Sequence, residues 1–154
     1  MTTTPNILQI SYVIHIGSSA ESVWDALTNP EALRRNWGRI QSDWKPGSEV
    51  SETDESGKVL WRGVIRRSER PRLLAYTFDV IGSGETSTDV TIELSPPASD
   101  IAANVSITRL TLSQVGFTKS SKLFAGCARA WPEIISSFKT YVEIGRPLGF
   151  AWKH

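Results

Sequence analysis

The sequence predicts an α+β fold in which a curved antiparallel sheet wraps around one long C-terminal helix. Three observations carry this. Near the start, in "ILQISYVIHI", Ile10, Tyr12, Ile14 and Ile16 alternate with Gln9, Ser11, Val13 and His15, the period of a half-buried strand. From Gly47 to Leu112 similar alternating segments follow one another between turn residues. At the end the period changes: Leu123, Phe124, Cys127, Trp131, Ile134, Ile135, Phe138 and Val142 recur at three and four residues, one stripe of a helix. A sheet with one apolar face must bury it, and that helix carries the only matching stripe.

Each element follows from local chemistry. After the first strand, Ser18 and Glu21 stand three apart as in a capping box, and Val23, Trp24 and Leu27 give a short helix its apolar face. Asn29 before Pro30 reads as N-cap and first helical residue of a second short helix, "PEALRR", ending near Trp37-Gly38. A hairpin then turns around Asp54 to Gly57. On its second strand Val59, Trp61, Gly63 and Ile65 share one face, with Leu60, Arg62, Val64 and Arg66 on the other. Leu74, Tyr76, Phe78 and Val80 form the next face, "GSG" at 82–84 a turn, and Val90, Ile92 and Leu94 another face. Pro96 and Pro97 exclude a central strand and mark a loop. In "ANVSITRLTLSQ" the apolar phase slips between Ile107 and Leu110, which predicts a β-bulge near Thr108 and Arg109. The helical stripe crosses Pro132 without losing phase, so one helix kinked at Pro132 is expected, closed by Gly145 with Pro147 beyond.

At 154 residues the chain is expected to form a single domain, 1–154, with its core from about 7 to 145. A chain of this size buries about 70% of its unfolded surface, enough for a core without staples. A net charge of +1 gives no field for nucleic acid or an anionic membrane, and the basic "RRSERPR" at 66–72 reads as a solvated turn. The single cysteine, Cys127, excludes an intramolecular disulfide and a thiolate zinc site; on the apolar stripe it reads as buried and inert. "MTTTPNILQI" lacks the basic and apolar regions of a signal peptide, and no run of about 18 apolar residues offers a membrane span. A cytoplasmic protein is the expectation.

The element order and several local patterns resemble the helix-grip (START/Bet v 1-like) superfamily. Within it the chain is similar to the family named for the C-terminal domain of the activator of Hsp90 ATPase (AHSA1-like), over about Ile10 to Gly145. The residues that carry the resemblance are "SSAESVWDALTNPEALRRNWG", "GVIRRSERPRLLAYTF", "TRLTLSQVGF" and "AWPEIISSFKTYVEIG". Where that family commonly has Gly-Trp in the long helix, this chain has Ala130-Trp131. Where it often has a His, this chain has Gln114, and where it has a paired Trp-Trp, this chain has Asn36-Trp37. The resemblance implies a mainly apolar cavity between sheet and long helix, in which many superfamily members bind apolar small molecules and some act as cyclases or dehydratases. The eukaryotic Hsp90 activators carry an additional N-terminal domain. This chain begins at the helix-grip domain, so a full co-chaperone role is not implied.

Candidate cavity-lining residues are Trp37, Trp61, Tyr76, Phe78, Leu112, Gln114, Trp131 and Ile135. Trp131 has two compatible readings, core aromatic and cavity wall. Trp37 reads equally as helix packing or as a lid. Polar candidates for orienting a ligand are Gln114, Tyr76 and Arg109, with Arg109 expected to point outward into an ion pair. Catalysis finds little support. His15 shares a face with Gln9 and Ser11 and reads as a surface residue, His154 is terminal, and Asp25, Asp43 and Asp79 read as exposed or turn residues. No catalytic residue, metal or cofactor is assigned. The first function expected is binding of an apolar or aromatic small molecule. The second is docking on an Hsp90-type chaperone. The third is a cyclase- or dehydratase-like activity, which would need an acid or base in the pocket.

Overall fold

A computed structural model describes residues 8–99 and 105–150. Its elements are β1 (Leu8–Ile16), α1 (Ala20–Thr28), α2 (Pro30–Asn36), β2 (Arg39–Ser42), β3 (Glu49–Thr53), β4 (Val59–Glu69), β5 (Leu73–Val80), β6 (Thr88–Ser95), β7 (Thr108–Phe117) and α3 (Phe124–Ile144). The strands form one seven-stranded sheet in the order β1-β7-β6-β5-β4-β3-β2, every pair antiparallel. This is the expected α+β helix-grip architecture: curved sheet, long C-terminal helix, two short helices after the first strand.

The inward faces are those the alternation marks. Ile10 and Ile16 on β1, Trp61 and Ile65 on β4, Leu74 and Tyr76 on β5, and Val90, Ile92 and Leu94 on β6 are buried in one core with Trp131, Ile135 and Phe138 of α3. The hairpin turn at 54–57 closes where expected, with the Asp54 side chain accepting from the backbone N–H of Ser56 (2.8 Å) and Lys58 (3.0 Å). Helix α3 is continuous through Pro132 and ends at Gly145 in the left-handed conformation.

Three details depart from the sequence reading. The predicted bulge near Thr108 and Arg109 is absent: β7 pairs with β1 and β6 in unbroken register there, and Thr108, Leu110, Leu112 and Gln114 all face inward. The phase slip arises because β7 begins at Thr108, so that Val105 and Ile107 precede the ladder. Ala103 and Asn104, expected in that strand, lie outside the described residues. An irregularity does occur at the other end of β7, where Leu8–Ile10 of β1 faces Phe117–Gln114 with one extra residue, and Gly116 there has φ +103°.

The cap of α1 is Ser19, not Ser18; its hydroxyl accepts from the Ser22 N–H at 3.2 Å. Ser18 is otherwise engaged: its N–H donates to the Ile16 carbonyl and its carbonyl accepts from the Thr108 hydroxyl at 2.7 Å. Both bonds hold Ser18 to the sheet and move the helix start on by one. Finally, β2 was not anticipated. It is four residues long with Ile40 alone buried, too short to show a period.

Candidate functional site

Between the sheet and the first half of α3 lies a cavity of about 140 Å³. Its sheet side is a cluster of rings: Trp61 stacks on Tyr76 with centroids 5.8 Å apart and tilts against Phe78 at 4.8 Å. Its helix side is a second cluster, in which Trp37 meets Trp131 edge-on at 5.7 Å and Phe138 at 6.2 Å. Such edge-to-face and offset contacts are the preferred geometries of aromatic rings. Cys127, Ala130 and Ile134 complete the helix side.

Local backbone geometry brings the sheet cluster together. At Gly63 of β4 a Cβ would stand 1.7 Å from the Thr77 carbonyl oxygen, so only glycine allows the two strands to approach there. The Thr77 hydroxyl accepts from the Val64 N–H at 2.9 Å across the same contact. Trp61, two residues before Gly63, is thereby held over Tyr76 and Phe78 on either side of Thr77.

The polar groups of the wall are tied into the protein. Gln114, 1% exposed, donates from Nε2 to the Thr88 hydroxyl (2.9 Å) and accepts at Oε1 from the Trp131 indole N–H (2.8 Å). The Trp61 indole N–H donates to Glu52 Oε1 at 2.8 Å. Glu52 itself is 6% exposed, an acid inside the wall of an apolar space. It fits because Gly38, in the turn after α2, leaves the room: a Cβ there would lie 2.5 Å from Glu52 Oε2. Burial, then the nearby Glu52 charge, pushes the Tyr76 phenol above its ordinary range, so it stays protonated. Burial also pushes the Cys127 thiol up, against the lowering effect of its contact with Gln114. A protonated thiol fits the expected inert cysteine, although it borders the cavity and is only half-buried.

Six of the eight expected residues meet at this cavity: Trp37, Trp61, Tyr76, Phe78, Gln114 and Trp131. Leu112 and Ile135 do not border it; both are 0% exposed and belong to the packed core. The sequence reading missed Glu52, Cys127, Ala130 and Ile134 as wall residues. It also found no acid in the pocket, and Glu52 corrects that. Arg109 points outward as expected, opposite His15 on β1, but no ion pair joins it and its buried Nε has no partner among the described residues. Asp25 is exposed and paired with Arg70 at 2.7 Å.

On the other side of Trp37, Trp61 and Tyr76, where Leu27, Leu33, Val50 and Ile92 pack, only about 10 Å³ remains. Toward solvent, Trp37 and Glu52 also border a polar recess of about 400 Å³ with Arg34, Arg35, Arg39, Asp54 and Glu55. Among the described residues no cluster of His, Cys, Asp or Glu could hold a metal ion. No described helix is long and apolar enough to cross a membrane.

The fold has many solved counterparts. It is similar to CalU16 from Micromonospora echinospora at 18% identity and TM-score 0.71, over 89% of this chain and 77% of that one. It is similar to Aha1 from Colwellia psychrerythraea, described as a dimer, at 19% identity and TM-score 0.70, over 89% and 97% of the two chains. It is also similar to PFC0360w, an Hsp90 activator from Plasmodium falciparum, at 17% identity and TM-score 0.69, over 91% and 98%. At these identities the likeness concerns the fold alone. No curated protein matches the chain by sequence. The model of one family matches residues 18–143, from the turn before α1 to the last turn of α3, and so takes in every residue of the cavity wall. The chain therefore belongs to the family of activator of Hsp90 ATPase homolog 1-like proteins.

Proposed function

We propose that this protein binds a small aromatic or apolar molecule in the cavity between its sheet and α3. The observation that supports this reading is the cavity itself: about 140 Å³ bordered by Trp37, Trp61, Tyr76, Phe78 and Trp131, beside a packed region where only about 10 Å³ remains. An apolar void of about 150 Å³ in a protein core accepts one benzene ring. Sites for drug-sized ligands are larger, about 300 Å³ and upward. The ligand class is therefore one ring or its equivalent, and a sterol or acyl chain would need the walls to part.

Native mass spectrometry of freshly purified protein is the first test, with a reproducible extra mass, lost on denaturation, as the expected result. The second uses a cavity-filling variant. Single-ring compounds should raise the melting temperature of the wild type by mass action and leave Ala130→Phe unmoved, because the added ring occupies the site. Equal shifts in both proteins would place the ligand elsewhere and defeat the proposal.

A second reading is docking on an Hsp90-type chaperone. The family's description and the neighbour named as an Hsp90 activator support it. Pull-down with a purified chaperone of that type at low salt tests it, and absence of any complex there would count against it.

A further inference from the structure

Of the polar side chains on the cavity wall, all but one are engaged within the protein. The Trp61 N–H is held by Glu52, the Trp131 N–H by Gln114, and the Gln114 amide by Thr88. The Cys127 thiol meets Gln114. Tyr76 is the exception: it is 5% exposed, and its hydroxyl makes no hydrogen bond among the described residues. A buried hydroxyl without a partner is costly, so it calls for an explanation. The described side-chain atoms sealed off without a partner are Asn36 Oδ1, Arg109 Nε and Ser137 Oγ. The Tyr76 hydroxyl is not among them and so keeps accessible surface. The open space that Tyr76 borders is the cavity, since only about 10 Å³ remains in the packed region on its other side. Burial holds the phenol protonated, so it can donate as well as accept.

We propose, building on the cavity reading above, that the occupant is a neutral phenol-like molecule, one ring carrying one oxygen, hydrogen-bonded to the Tyr76 hydroxyl. The volume admits one ring, and Trp61, Phe78 and Trp131 offer it apolar contact. In apolar pockets a few polar groups fix orientation, and here the uncommitted one is Tyr76. A pure hydrocarbon leaves that hydroxyl unpaired. A molecule with several polar groups buries them without partners, and an anion loses its hydration against a single neutral donor.

The test compares phenol with toluene, which has the same shape and lacks the oxygen, by calorimetry on the full chain at neutral pH. Toluene is the more hydrophobic of the two, so a cavity with no free hydroxyl favours it. The wild type is expected to bind phenol at least as tightly as toluene. In Tyr76→Phe phenol should weaken about tenfold, while toluene stays within about twofold of its wild-type affinity. The hydroxyl has no described protein partner to lose, so the melting temperature of Tyr76→Phe should not fall. The wild-type ranking stands as a test should the variant fold poorly. Toluene clearly tighter than phenol in the wild type, or phenol and toluene changing alike in Tyr76→Phe, overturns the role of the hydroxyl and leaves the cavity reading intact. Binding of neither probe overturns both.

Discussion

Two stretches of α3 face the same sheet and meet it differently. From Ile135 to Phe138 the helix is sealed: Ile135 and Phe138 are 0% exposed and share a core with Ile16, Leu110 and Leu112, which are equally buried. From Cys127 to Ile134 the helix stands over the cavity, and its largest side chain there, Trp131, meets the Trp37 ring edge-on. The sealed stretch has atoms packed on every side, whereas the cavity stretch has side chains with empty space on one side. Atoms lining the cavity lose dispersion partners, so the cavity stretch contributes less stability per residue than the sealed one. Pro132 lies within the cavity stretch, where its missing N–H removes the helical bond to Ala128. The fold thus seals one end of the sheet-helix contact and leaves a cavity at the other.

The largest effect expected from this contrast is in the sealed stretch. Phe138→Ala should cost about 3–5 kcal/mol in urea unfolding, because a fully buried ring is removed from a site with little room to collapse. A cost near 1 kcal/mol would mean that the two stretches are packed alike. Next comes the polar link of the cavity stretch. Trp131→Phe keeps a ring but removes the N–H, leaving Gln114 Oε1 buried without its donor. That should cost about 1–3 kcal/mol. Gln114→Met in the same chain should recover part of it, with a coupling of about 1 kcal/mol in a double-mutant cycle. Additive costs would show that the two side chains do not act as a pair.

The contrast also explains which parts of the site were legible in the sequence. Periodicity reports which face a residue occupies, and it placed Trp61, Tyr76, Phe78, Gln114 and Trp131 inward, as they are. It does not report depth along the sheet. Leu112 and Ile135 share faces with Gln114 and Trp131 yet sit one turn or one pleat toward the sealed end. Glu52 was hidden for a different reason. In "SETDES" an acid reads as solvated, and its burial depends on partners distant in sequence: Trp61 opposite it in register and Gly38 making room. The phase slip at 107–110 was likewise visible, but a strand that starts late and a strand that bulges produce the same pattern of letters.

The smallest expected effect concerns how each end of α3 is tied down. At the sealed end Glu143 accepts from the Gly17 N–H at 2.6 Å and pairs with Lys139 at 2.5 Å. Before the cavity end, Glu85 accepts from the Ser121 hydroxyl at 2.6 Å and the Lys122 N–H at 2.9 Å. Both carboxyls are held below the usual range, Glu143 chiefly by Lys139 and then by Gly17, Glu85 by Ser121 and then Lys122. A carboxyl whose folded pKa is depressed stabilises the fold above its unfolded value, about 4.3, and that stabilisation fades as pH falls through the lower folded value. Stability should therefore decline below about pH 4.3, and Glu143→Gln or Glu85→Gln should each flatten part of the decline. The two should differ in where the chain opens. Glu85→Gln frees the turn that leads into a loosely packed stretch, so hydrogen exchange should quicken locally over the first turns of α3. Glu143→Gln acts where Ile135 and Phe138 already anchor the helix, so its exchange should stay close to wild type. The reverse pattern would mean that the helix is anchored at its cavity end.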